Sequence, residues 1–130
     1  MRREIKFRAW DAKENRWYAP VFEAYAGRLD ELVVSFGGDL ARRTMKGMDH
    51  ESLFPDRYIL EQFTGFRDNN EKEIYEGDLV KTNGARGIVE IKWLPDGDEY
   101  EIMGGYFLPG NTFEIVGNIH ENPELLEVSE

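Results

Sequence analysis

Apolar residues alternate with polar ones most regularly in the second half of the chain. An alternation with a period of two is typical of β-strands that bury one face. Turn signals separate these runs, and the strongest is Asn83-Gly84, a dipeptide that favours hairpins. The spacing predicts a small antiparallel barrel or sandwich rather than alternating β and α units. The predicted strand segments are 58–63, 74–75, 79–82, 88–93, 100–103, 106–108 and 112–116.

The N-terminal segment predicts a β-hairpin. Its first strand carries Ile5, Phe7 and Ala9 on one face, because these apolar residues alternate with polar or aromatic ones. Residues 11–15 are polar and turn-like, and residues 16–18 are expected to return as the second strand.

The segment that follows has a weaker pattern. Residues 21–26 and 29–36 are expected to form short strands around Gly27, since β-branched and aromatic side chains favour strands. Residues 39–48 are polar, and we expect a loop or one helical turn there. Near the other end of the chain, Asn122 is expected to cap a short helix.

These elements predict a mainly β protein with a minor α content and two parts. Residues 1–57 form an N-terminal β-rich extension with a variable segment, and residues 58–130 form a barrel that ends in a short helix. Both parts are expected to belong to one compact unit.

Composition and charge narrow the function classes. The chain has no Cys, which excludes disulfides, thiolate metal sites and a Cys nucleophile. It has no apolar run of the length that a membrane span needs, and we expect a soluble protein in the bacterial cytoplasm. The net charge is −10, and residues 47–130 hold 19 of the 26 acidic residues. A wide anionic surface repels phosphate, which disfavours generic nucleic-acid binding.

No catalytic or metal-binding constellation emerges from the sequence. The two His residues, His50 and His120, lack a zinc-site spacing, and the acidic segment 96–99 lacks the twelve-residue calcium-loop pattern. Asp78 follows Gly77, and we expect its carboxylate to accept hydrogen bonds from backbone amides in the turn. The chain is therefore predicted to be non-enzymatic, with no catalytic residue, metal or cofactor.

Protein binding is the function class that the residues favour. Aromatic side chains dominate interface energetics, and four of them are candidate interface anchors: Trp10, Trp17, Tyr100 and Tyr106. We expect a domain of this kind to associate with itself or with another protein. An alternative is a nucleic-acid-related role, either through the basic and aromatic N-terminal strands or through mimicry of DNA by the acidic surface.

Three segments of the chain resemble the YopX protein family. The first is residues 5–11, IKFRAWD, which is similar to the family's opening. The second and most specific is residues 62–80, QFTGFRDNNEKEIYEGDLV, with a Thr-Gly pair, a polar turn and then Ile-Tyr-Glu-Gly-Asp before a strand. The third is residues 114–126, EIVGNIHENPELL, which is similar to the family's closing segment.

This resemblance implies an origin in bacterial phages or prophages, and it makes a host or phage protein the expected further partner. It also implies that the C-terminal part is related to SH3-like barrels and that the protein is a homo-oligomer. It implies no known activity and no catalytic residues, so the function remains that of an uncharacterised accessory protein.

Overall fold

The computed structural model describes residues 4–83, 87–93, 100–102, 105–106 and 112–127. They form mainly antiparallel β-structure, as the sequence predicts, with one four-residue α-helix and two 3₁₀ helices at Ala24–Ala26 and Glu51–Leu53. The elements are β1 Phe7–Asp11, β2 Arg16–Trp17, β3 Val21–Glu23, β4 Arg28–Val34, β5 Leu40–Thr44, β6 Gly47–His50, β7 Tyr58–Arg67, β8 Glu73–Tyr75, β9 Asp78–Thr82, β10 Ile88–Trp93, β11 Tyr100–Ile102, β12 Gly105–Tyr106, β13 Phe113–Asn118 and α1 Glu124–Glu127.

The chain divides into two compact units. Ala9–Ile59 form the N-terminal unit, and Met1–Arg8 with Leu60–Glu130 form the C-terminal unit. The strands β1 and β7 each contribute residues to both units.

The C-terminal unit is built on a five-stranded sheet with the order β12-β11-β10-β9-β13. Alternation in β10 places Val89 and Ile91 in the core, because successive residues of a strand point to opposite faces, whereas Leu79 and Val80 of β9 are consecutive and both buried. A β-bulge interrupts the pairing of β13 with β9 between Ile115 and Gly117. The core of this unit consists of Ile74, Val80, Val89, Ile91 and Phe113, with Ile115 packed against them.

The N-terminal unit contains a four-stranded antiparallel sheet with the order β3-β4-β5-β6. Directly opposed residues share a face. One face includes Leu40, which is buried, and Arg42, whose guanidinium bonds the Asp30 carboxylate. Asp30 also accepts a hydrogen bond from the Tyr18 hydroxyl at 2.6 Å. This face, which we call the Leu40 face, therefore contains an internal network of charged and hydroxyl groups.

The opposite face of the same sheet is exposed along much of its area. We call it the Val33 face. The cross-strand pairs that define it are Phe22 with Leu29, Glu31 with Arg43 and Met48, and Val33 with Ala41 and His50.

Three details of the sequence prediction are wrong. The predicted loop at 39–48 is instead the hairpin of β5 and β6, with a tight turn at Met45-Lys46. The strand predicted at 58–63 is longer, because β7 continues to Arg67. In the predicted first strand, Ile5 and Phe7 are exposed while Ala9 and Trp10 are both buried, so burial there does not follow one alternating face.

Residues 94–99 and 107–111, which include the connections between predicted strands, lie outside the described residues, as do residues 84–86 of the hairpin loop predicted at Asn83-Gly84. The antiparallel pairing that this hairpin requires is present between β9 and β10. The specific assignment to an SH3-like barrel stays a prediction.

Candidate functional site

The predicted interface aromatics lie in different environments. Trp10 is only 5% exposed and stacks edge-on against its cross-strand partner Trp17, with ring centroids 5.0 Å apart. Trp17 is half-buried, so it retains more area for a partner than Trp10 does. The side chains of Tyr100 and Tyr106 lie outside the described part of the chain, and their role stays a prediction.

A buried ionic cluster, which we call the Glu61 cluster, lies in the C-terminal unit. Arg8 of β1 contacts two carboxylates: its Nε donates to Glu61 Oε1 at 2.9 Å, and its Nη2 lies 3.0 Å from Asp78 Oδ1. His120 Nε2 lies 2.8 Å from Glu61 Oε2. Glu61, Asp78 and His120 each expose less than a tenth of their side chain.

The turn between β8 and β9 positions the cluster. Gly77 adopts a φ of +87°, a left-handed conformation that glycine accepts without steric cost. This turn brings the Glu76 carbonyl within 3.2 Å of Arg8 Nη2. It also lets Asp78 Oδ2 accept a hydrogen bond from the Tyr75 amide at 2.7 Å, which confirms the predicted role of this carboxylate.

The carboxylates of the Glu61 cluster are held by partners within the protein. Burial raises the pKa of Asp78, and the Arg8 guanidinium opposes that shift. All four oxygens of Glu61 and Asp78 contact a donor group within the protein, on Arg8, His120 or the Tyr75 amide. A general acid or base must instead present its carboxyl group to a substrate.

Sequence reasoning found only part of this cluster. The Gly77-Asp78 turn was visible as a turn signal. Glu61 and His120 were not, because they are 59 residues apart and neither lies in a motif that links them. Arg8 was assigned to an alternating strand without a partner.

A second group of ionisable side chains lies in the N-terminal unit. Asp39, His50 and Glu51 are exposed, and each has a potential ligand atom within 4.8 Å of those of the others. They border a cleft of about 400 Å³ that Phe54 and Tyr58 also line. No motif in the sequence connects Asp39 with the other two residues.

Local hydrogen bonds weaken this group as a metal centre. His50 Nδ1 accepts from the Ser52 amide at 3.1 Å, which places the proton of a neutral imidazole on Nε2. Glu51 Oε2 accepts from the Leu40 amide at 2.5 Å. Metal binding would have to displace these bonds, because a metal ligand needs a free lone pair.

The basic residues of the N-terminal strand are engaged in ion pairs. Lys6 Nζ lies 3.2 Å from a Glu4 oxygen and also contacts Glu73. Arg8 belongs to the Glu61 cluster and lies over the Tyr75 ring at 4.9 Å. These contacts give nucleic-acid binding through Lys6 and Arg8 less support than the sequence pattern suggested.

Large exposed apolar side chains are concentrated in the N-terminal unit. Among the described residues, nine of them belong to this unit and three to the other. The nine residues are Val21, Phe22, Tyr25, Val33, Phe36, Met45, Met48, Leu53 and Ile59.

In the part of the chain that the structure describes, no helix has the length and apolar character needed to cross a membrane.

Two solved structures are similar to this chain over nearly its whole length. Protein EF1440 from Enterococcus faecalis is 26% identical, with a TM-score of 0.58, and the alignment covers 96% of this chain and 99% of that one. Protein yopX from Bacillus subtilis is 19% identical, with a TM-score of 0.56, and the alignment covers 92% of this chain and 95% of that one. No curated protein sequence matches the chain.

The family comparison covers the segments that build the Glu61 cluster. Arg8, Asp78 and His120 come from the three segments noted in the sequence, and Glu61 immediately precedes the second one. The match to the YopX protein family extends over residues 6–127. The chain therefore belongs to the YopX protein family.

Proposed function

We propose that this protein is a non-enzymatic accessory protein of phage or prophage origin that acts through protein–protein contacts and associates with itself. The observation that carries this proposal is the exposed apolar surface of the N-terminal unit. Phe22, Val33 and Met48 lie on the same face of its sheet. Exposed apolar patches are typical of interaction sites, whereas single exposed apolar residues are ordinary.

The distribution of charge supports self-association through the same unit. The N-terminal unit has seven Lys or Arg and nine Asp or Glu, a net charge of −2. The C-terminal unit has nine Lys or Arg and 17 Asp or Glu, a net charge of −8. Two copies repel each other least when they meet through the nearly neutral unit, because like charges raise the free energy of association.

A structural role for the Glu61 cluster fits a binding protein. Its carboxylates hold strands and turns of the C-terminal unit together and are committed to internal partners. Buried charges in folded proteins are paired in this way, so the cluster needs no substrate to account for it.

The test is a measurement of molar mass in solution. The full chain is studied by size-exclusion chromatography with light scattering and by sedimentation equilibrium, over a concentration series from about 1 to about 500 μM, a range in which transient complexes assemble. We expect the weight-average mass to rise above the 15.1 kDa of one chain. A mass that stays at one chain over the whole series would contradict self-association.

A filter-binding assay with single-stranded and duplex DNA at low salt tests the alternative function. The proposal predicts no retention. Retention that falls steeply with added salt would instead favour a nucleic-acid-related role, since counterion release makes such binding salt-dependent.

A further inference from the structure

The Val33 face has the arrangement of a self-complementary surface. It belongs to a sheet with the order β3-β4-β5-β6, so a line between β4 and β5 divides it into two equal halves. The outer strands each carry a large exposed apolar side chain on this face: Phe22 of β3 is 62% exposed, and Met48 of β6 is 57% exposed. The inner strands carry Val33, which is 37% exposed, and half-buried Ala41.

An ion pair lies at the middle of this face. Arg43 Nε of β5 is 2.8 Å from Glu31 Oε1 of β4, and both side chains remain accessible to solvent. They lie directly opposite each other across the β4–β5 boundary. The Val33 face therefore presents one carboxylate and one guanidinium side by side, with a net charge of zero when His50 is neutral.

Two-fold symmetry would make these features complementary. The two-fold axis would lie midway between the two facing sheets, parallel to the strands and above the boundary between β4 and β5. A rotation about this axis places β4 of one copy over β5 of the other, and β3 over β6. Glu31 of each copy then faces Arg43 of the other. Phe22 of each copy lies over the strand that carries Met48, whose flexible thioether adapts to an aromatic neighbour.

We propose that the Val33 face is the surface through which a second copy of this chain docks, by aligned face-to-face packing of the two N-terminal sheets. The inference rests on the proposed self-association and adds the surface and the symmetry. Aligned sheets pack about 10 Å apart with their side chains interdigitated. The balanced charge of this face favours a copy of itself over a strongly charged partner, which would leave one member of the ion pair facing a like charge.

Charge-changed variants test this pairing directly. Glu31→Arg gives each copy two positive groups at the centre of the face, and Arg43→Glu gives each copy two negative ones. We expect each variant alone to associate at least roughly tenfold more weakly than the original chain, because like charges then meet across the interface. We expect an equimolar mixture of the two variants to recover the lost association, because opposite charges meet again.

The chain offers a matched control on the same sheet. Glu23 and Arg28 form a cross-strand pair at 2.7 Å on the Leu40 face. The variants Glu23→Arg and Arg28→Glu make the same charge changes away from the Val33 face, and we expect them to associate like the original chain. Circular dichroism and thermal unfolding of every variant check the fold, which exposed ion pairs stabilise by only about 0–1 kcal/mol.

The variant Val33→Asp provides a second, independent measurement. It places a charge among the apolar residues of the face, and we expect it to prevent association, whereas Ile5→Asp, at a 69% exposed apolar residue of the C-terminal unit, leaves association unchanged. Sedimentation equilibrium measures the association of all of these variants.

The possible results separate the inference from the proposed function. If the original chain associates and the Glu31→Arg and Arg43→Glu variants behave as expected, with recovery in the mixture, the inference is supported. If the original chain associates and those variants do so equally well, or their mixture recovers nothing, the Val33 face is overturned while self-association stands. If the original chain is monomeric at every concentration, both proposals fail.

Discussion

Gly77 shows how much of the C-terminal unit depends on single positions. Its left-handed backbone lets the chain turn from β8 into β9, and its lack of a side chain leaves room for the Glu61 carboxylate. A Cβ at this position would lie 2.9 Å from Glu61 Cδ, well inside ordinary van der Waals contact. Glu61 in turn binds Arg8 and His120. A displacement at Gly77 therefore affects β1, β7 and the turn that follows β13.

The prediction at this scale is that Gly77→Ala destabilises the protein more than Gly65→Ala does. Both glycines have nearly the same φ, +87° and +93°, but a Cβ at Gly65 meets nothing within 4 Å. We expect Gly65→Ala to lower the free energy of unfolding by about 1 kcal/mol through backbone strain alone, and Gly77→Ala to lower it by roughly 2–4 kcal/mol because it also displaces Glu61. Urea unfolding measures both. Equal losses would show that Glu61 moves aside at no cost.

The β5–β6 hairpin shows at the scale of elements why a strand can be missing from the apolar pattern. β5 reads Leu-Ala-Arg-Arg-Thr, which looks polar. Arg42 lies on the Leu40 face, where the Asp30 carboxylate compensates its charge, while Arg43 lies on the exposed face. A strand whose inward charge is paired has no need for the alternation that burial would otherwise impose.

Asp68 joins elements that are distant in sequence. Its Oδ1 accepts from the amides of Asn70 and Lys72, at 2.8 and 2.9 Å, and closes the turn between β7 and β8. Its Oδ2 accepts from the Ile115 amide of β13 at 3.1 Å, next to the β-bulge. One buried carboxylate thus satisfies three backbone donors.

We predict that Asp68→Ala lowers the free energy of unfolding by roughly 2–4 kcal/mol, because buried amides that lose their acceptor bear the cost of desolvation. Asn70→Ala in the same turn is the control, since it removes an exposed side chain and leaves the amide bonds to Asp68 in place. Chemical denaturation with both variants checks the difference. If Asp68→Ala were as stable as Asn70→Ala, water would be an adequate replacement for the carboxylate.

At the scale of the whole molecule, buried and paired carboxyl groups make the stability of the fold depend on pH. Burial tends to raise the pKa values of Asp68 and Asp11, but hydrogen bonds outweigh this effect, so both pKa values lie below the usual range. The donors are backbone amides for Asp68, and Arg57 together with backbone amides for Asp11. The hydrogen bond from Arg42 lowers the pKa of Asp30 in the same direction. Asp78 is the opposite case, because burial raises its pKa.

The sign of the pH dependence follows from these shifts. A carboxyl group with a lowered pKa in the folded state stabilises the fold above its unfolded pKa of about 3.9 and loses that contribution as the pH falls through the folded value. Asp78 acts in reverse, since a group with a raised folded pKa favours the fold at low pH and loses that effect as the pH rises. Glu73, whose pKa the hydrogen bond from Lys6 lowers, is a fourth group of the first kind. Among the described residues, four carboxyl groups with a lowered pKa therefore outweigh one with a raised pKa.

We therefore predict that the free energy of unfolding falls steadily between about pH 5 and pH 2.5. The variant Asp68→Asn should show a shallower decline than the original chain, because one group with a lowered pKa is gone. Asp78→Asn should show a steeper one, because the opposing group is gone. Urea unfolding at a series of pH values measures the slopes, and a steeper decline in Asp68→Asn would contradict the assigned direction.

Local sequence patterns correctly predict the mainly β character of the chain and, within the described residues, the strands of its second half. They also predict the hairpin near the N-terminus and the turn at Gly77-Asp78. They can do so because these features depend on neighbouring residues: alternation sets which side of a strand is buried, and glycine or aspartate sets where it turns. The segments that resemble the YopX protein family are local in the same sense.

The contacts between side chains that are distant in sequence follow only from the tertiary structure. The pairing of Glu61 with His120, the compensation of Arg42 by Asp30 and the balanced Val33 face all depend on which strands lie side by side. No local pattern records these choices, because a buried charge is stabilised by a partner brought near in space, wherever that partner lies in the chain.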